Sequence, residues 1–65
     1  MTYTVWQWSY YTNNWKRVAR GKATNGKHFT DKDREMFAFM LKTGSSVYTK
    51  QERDGTQTKW EYTRD

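Results

Sequence analysis

Thr2-Tyr3-Thr4-Val5-Trp6-Gln7-Trp8-Ser9-Tyr10-Tyr11-Thr12, then Asn13-Asn14, then Trp15-Lys16-Arg17-Val18-Ala19-Arg20-Gly21-Lys22-Ala23, is the stretch on which the fold turns. Its first part is dominated by aromatic and β-branched residues, which suit a pleated, half-buried surface. Asparagine tolerates positive φ, so Asn13-Asn14 reads as a two-residue turn. Residues 15–23 resume the strand pattern, and Asn25-Gly26 marks another turn. A β-hairpin is therefore expected over 2–23.

A two-residue loop fixes which residues face each other. Trp8 is then opposite Ala19, Trp6 opposite Gly21 and Tyr10 opposite Arg17, an arrangement of large rings over small neighbours that suits a buried sheet face. The other face carries Tyr11 opposite Lys16, Ser9 opposite Val18, Gln7 opposite Arg20 and Val5 opposite Lys22. On this reading Trp6 and Trp8 pack beneath a helix. Lys16, Arg20 and Lys22 line an open face together with Gln7 and Tyr11.

The helix follows. Thr30 is a capping residue, and Asp31, Asp33 and Glu35 lie where the helix dipole favours negative charge. Met36, Phe37, Met40 and Leu41 share one face at 100° per residue. Lys42 and then Gly44 supply the stop, so the helix is expected over 31–42. Phe39 lies off that face, either flanking the core or touching a second copy or a partner protein. Beyond it, residues 46–53 and 56–64 flank Asp54-Gly55, a strong hairpin signal. A two-residue turn there sets Val47 opposite Tyr62 and Thr49 opposite Trp60 on the core side. Tyr48 then faces Glu61, and Lys50 faces Lys59, on the open side. The expected fold class is α+β: ββαββ, an antiparallel sheet of two hairpins with one helix packed on one face. The domain is single and spans 1–65, with hairpin 2–23, helix 31–42 and hairpin 46–64.

Composition limits what this fold can do. Leu, Val and Phe number one, three and three in 65 residues, and there is no Ile. Such scarcity of aliphatic residues would suggest disorder. Four Trp and five Tyr argue otherwise, since each buried ring hides about 150–250 Å². The core is small enough that a partner or a second copy, as in a homodimer, is expected to complete it. There is no Cys, which removes disulfides, thiolate metal sites and thiol nucleophiles, and fits a reducing compartment. No apolar run reaches the roughly 20 residues of a membrane span, and no signal-like segment follows Met1. A cytoplasmic protein without membrane contacts is expected.

Charge is very unevenly placed. The formal net charge is +5. Residues 1–30 contain Lys16, Arg17, Arg20, Lys22 and Lys27 and no acid, whereas basic and acidic residues balance over 31–65. A basic hairpin with aromatic and amide side chains is the footprint of a nucleic-acid contact, more readily DNA than RNA. Lys16, Arg20 and Lys22, with Arg17 and Lys27 at the edge, are the expected phosphate ligands. Gln7 and Tyr11 are the candidates for base contacts, and Lys50 with Lys59 forms a second anion contact. Tyr11 or Tyr48 would stack on an unpaired base, and Trp6, Trp8 and Trp60 are alternative stacking platforms. Three or four phosphate contacts imply that log K falls with log salt at a slope of about −3.

Other chemistries find little footing. His28 is the single histidine, without Cys or a second His to complete a metal site. No phosphate-binding glycine loop, HExxH or GxSxG segment occurs. Neither an enzyme nor a cofactor is expected. The competing reading is a protein-interaction or inhibitor module, of viral or mobile-element type, that binds a larger and acidic protein, with Phe39 as a contact. In layout, the basic hairpin, the segment Lys27-His28-Phe29-Thr30-Asp31-Lys32-Asp33 and a short helix resemble the three-stranded-sheet-plus-helix modules that dock a sheet in the DNA major groove. Those modules have three strands before the helix, whereas two precede it here.

Overall fold

Five elements follow in the expected order: β1 (Thr2–Ser9), β2 (Asn14–Gly21), α1 (Asp31–Thr43), β3 (Val47–Gln51) and β4 (Gln57–Thr63). A computed structural model describes residues 1–65. The fold is ββαββ: one antiparallel four-stranded sheet with the order β2-β1-β4-β3, and α1 on one face. The two hairpins are thus joined through their first and last strands. Val5 pairs with Trp60 and Tyr3 with Tyr62 across that central seam.

Both loops differ in length from the expected turns, and this rearranges the faces. The first spans residues 10–13 in place of Asn13-Asn14 alone, with Asn13 at φ 57°, so Trp8 faces Trp15 and Trp6 faces Arg17. Asparagine's tolerance of the left-handed region holds, but the turn is longer than two residues. In the second loop the Glu52 N–H donates to the Thr56 carbonyl at 2.7 Å and the Gly55 N–H to the Glu52 carbonyl at 3.1 Å. Gly55, at φ 91°, completes a three-residue loop with a glycine bulge. The register of β3 therefore slips by one residue, which transfers every side chain to the opposite face. Tyr48 faces Trp60, Val47 faces Glu61, Thr49 faces Lys59 and Lys50 faces Thr58. The expected Lys50–Lys59 and Thr49–Trp60 oppositions do not form.

The core lies between α1 and the sheet. Val5, Ala19, Phe29, Phe37, Met40, Trp60 and Tyr62 are buried, with Tyr3 and Met36 packed against them. Phe37 meets Tyr3 and Phe29 edge-on, at 5.0 and 5.8 Å between ring centroids. Phe29 covers Gly21, where a Cβ would lie 3.2 Å from its ring. That pairing takes the place expected for Trp6 over Gly21. Leu41, expected in the core, is 43% exposed, and the helix contact is filled by Phe37 and Met40 with Met36 beside them.

The start of α1 is tied to the sheet by one residue. Thr30 Oγ1 accepts from the Asp33 N–H, and Asp33 Oδ2 accepts from the Thr30 N–H, a reciprocal capping box. Asp33 Oδ1 accepts from Trp60 Nε1 at 2.8 Å, so a buried carboxylate satisfies a buried indole. Gly44, at φ 80°, closes the other end, its N–H donating to the Met40 carbonyl. Tyr10 links the two loops: its hydroxyl donates to the Gly55 carbonyl at 2.9 Å and accepts from Gln57 Nε2.

Candidate nucleic-acid interface

The faces of β1 are opposite to the sequence expectation. Val5 and Tyr3 point to the helix, because their partners Trp60 and Tyr62 do. Trp6 and Trp8, one residue out of phase, therefore point to the uncovered face. Trp15 stands opposite Trp8 and meets it edge-on at 5.3 Å. Along β4 burial alternates, with Thr58, Trp60 and Tyr62 inward and Lys59, Glu61 and Thr63 outward.

A β-bulge adds the arginines. Pairing between β1 and β2 shifts between Val5 and Trp6, whose partners are Ala19 and Arg17, which leaves Val18 as the extra residue. In a regular strand Arg17 and Arg20, three residues apart, would point to opposite faces. The bulge absorbs one residue and turns both toward the same side. They line a cleft of about 210 Å³ with Thr2, Thr4, Trp6 and Thr63. On the outer side of β2 the same two arginines border a shallow depression with Val18, Ala19 and His28.

Lys59 sits among the rings of this face. Its Nζ is 4.7 Å from the centroid of Trp15 and 5.4 Å from that of Trp6, so the ammonium rests on two indole faces. Trp6 Nε1 is covered and has no acceptor, the one buried side-chain polar atom in that condition. Glu61, opposite Thr4, is the acidic strand residue of this face.

The other predicted residues scatter. Lys16 and Gln7 pair with each other on the helix side of the sheet. Gln7 borders a cleft of about 380 Å³ that also holds Asp33, Glu52, Asp54 and Lys32, an acidic setting unsuited to phosphate. The Lys32 ammonium holds the Glu52 carboxyl below its usual range, and the Thr56 N–H does the same for Asp54. Lys22 is engaged by Asp65 at 2.9 Å. Its ammonium, then the chain's amino terminus and Thr2, hold the Asp65 carboxyl down at about 2. Tyr11 is fully exposed at the loop tip, and Lys27 and His28 are exposed in the loop before Phe29. Trp60 is 1% exposed and no platform. Phe39 is neither core nor isolated: it is 44% exposed and meets Tyr48 edge-on at the β3 edge.

The structure thus brings together Trp6, Trp8, Trp15, Arg17, Arg20 and Lys59. Trp15 escaped the sequence reading, although aromatic residues on both sides of the first turn hinted at a cross-strand pair. The bulge that unites the arginines leaves no such trace. No group of three His, Cys, Asp or Glu side chains converges, and no helix is long and apolar enough to cross a membrane. No family model, curated protein or solved structure matches this chain.

Proposed function

We propose that the protein binds nucleic acid through the sheet face turned away from α1, acting as a binding protein and not as an enzyme. One observation carries the reading: the bulge at Val18 turns Arg17 and Arg20 to the side that also presents Trp6, Trp8, Trp15 and Lys59. Cations release counterions from phosphates, and indoles offer flat apolar surface to bases. The arginines and Lys59 have no carboxylate partner, since no salt bridge engages Arg17, Arg20 or Lys59. Lys16, Lys22, Lys27 and Gln7 move to the periphery of the interface or out of it.

The test is a binding assay with single-stranded DNA, duplex DNA and RNA at two salt concentrations. Three phosphate contacts give a slope of about −2 to −3 in log K against log salt. Affinity independent of salt, or unchanged in Arg17→Ala/Arg20→Ala, overturns the reading. A second reading draws on the exposed Phe39–Tyr48 pair beside the open edge of β3, which suits a protein partner or a second copy. Phe39→Ser that folds normally but loses a nuclease-resistant protein partner, or self-association, supports it. Loss of folding makes the Phe39–Tyr48 contact a structural one and overturns this second reading.

A further inference from the structure

We infer that the ligand of the open face is an unpaired polynucleotide strand, whose bases take the place that Lys59 occupies over Trp15 and Trp6. The inference rests on the nucleic-acid reading and specifies the ligand class. Width is the first argument. Four strands at about 4.8 Å spacing set the outer two about 14 Å apart, before side chains are counted. A duplex major groove is about 12 Å wide and admits a helix or a two-stranded ribbon. The indoles of Trp6 and Trp8 lie on the inner strand β1 and that of Trp15 on the edge strand β2, all on the broad face of the sheet and not along its rim. An unpaired strand laid across the sheet meets them directly.

The second argument is what rests on the rings. A lysine ammonium 4.7 Å from one indole centroid and 5.4 Å from another marks surface that favours a stacked π-system or a cation. A base sliding onto Trp15 displaces Nζ, and the long lysine side chain carries that charge to the neighbouring phosphate. The arginines hold two further phosphates beside the cleft that Trp6 also lines. There Nε1 of Trp6, which lacks an acceptor, meets a base carbonyl or phosphate oxygen once Lys59 has turned away. Stacking with backbone contacts recognises any base, so binding is tolerant of sequence. Glu61 keeps the strand toward the β2 side of the face.

The experiment uses one mixed sequence of about ten nucleotides as a DNA strand, an RNA strand and a blunt duplex, with indole N–H signals followed by NMR. Expected is binding of at least one strand form about tenfold or more tighter than the duplex. The Nε1–H signals of Trp6, Trp8 and Trp15 shift, while that of Trp60, held by Asp33, stays. Trp15→Ala loses about 5- to 150-fold in strand affinity, the value of one stacked base. Lys59→Met keeps the indole shifts and lowers the salt slope by about 0.7. Should Trp15→Ala fail to fold, the wild-type indole signals decide alone. Equal or tighter duplex binding, or strand binding with unmoved indole signals, overturns this inference and leaves the nucleic-acid reading standing. No binding of strand or duplex at low salt overturns both.

Discussion

Trp60 and Trp6 stand on neighbouring strands, one register step apart, and have opposite fates. Trp60 faces the helix, pairs with Val5, and gives its N–H to Asp33. Trp6 faces away, pairs with Lys59, and keeps an N–H without an acceptor. The same side chain closes the core on one face and remains unspent on the other. The charges divide in the same way. Asp33 on the helix side is committed to a cap and an indole, whereas Arg17, Arg20 and Lys59 on the open side have no carboxylate partner. A sheet with indoles on both faces and a helix on one has a structural side and an available side.

The sharpest way to break this contrast is to remove one indole from each side. Trp60→Ala is expected to cost about 3–5 kcal/mol, much of the roughly 3–10 kcal/mol available to a domain of this size. Trp15→Ala removes an edge-on pair and a cation–π contact and costs about 1–2 kcal/mol. Urea unfolding of the two variants checks the difference, and equal losses would abolish the distinction between faces. Next comes Asp33→Ala. It removes the side-chain half of the capping box and strands the Trp60 N–H, for about 2–4 kcal/mol. A loss below about 0.5 kcal/mol by the same measurement would show that Asp33 does not join the two elements.

Arg17→Ala/Arg20→Ala addresses the available side. Two lost phosphate contacts reduce the salt slope by about 1.4 on a single strand, with thermal stability nearly unchanged. Deleting Val18 restores regular pairing and leaves the arginines two residues apart on the same face, so affinity should be nearly unchanged. Smaller effects belong to the periphery. Asp65 is held at about 2, below its ordinary 3.8, so its ionised form favours the folded state. Its contribution is complete above about pH 4 and is lost as pH falls through about 2. Acid unfolding of Asp65→Asn should therefore diverge from wild type at neutral pH and converge with it near pH 2. The same variant frees Lys22 and steepens the salt slope by up to about 0.7. Glu61→Gln, the smallest change, should tighten binding less than about fivefold, because a solvent-facing charge pair is worth under about 1 kcal/mol.

Local signals in the chain were sufficient for element order, the helix cap at Thr30, the stop at Gly44 and the hairpin character of both flanks. Each rests on neighbours in sequence: a side chain capping its own helix, or a residue that accepts positive φ. The concentration of positive charge before residue 30 was equally plain. Orientation was not, because β1 has large or β-branched residues at both odd and even positions, so alternation alone did not choose an inner face. Loop lengths of residues 10–13 and 52–56 set the pairing, and a glycine bulge moved β3 by one residue.

Which elements form, and the cationic character of the first half, follow from short stretches of residues, since propensity, capping and charge are local properties. Tertiary structure alone decided which side of the sheet is free. The pairing of Val5 with Trp60 and Tyr3 with Tyr62 joins residues more than fifty positions apart and commits the odd residues of β1 to the helix. That commitment sends Trp6 and Trp8 outward, and the bulge at Val18 brings Arg17 and Arg20 to the same side. A strand's facing is relative to its partners, and burial of the largest side chains across the whole sheet selects among facings that each segment alone finds nearly equal.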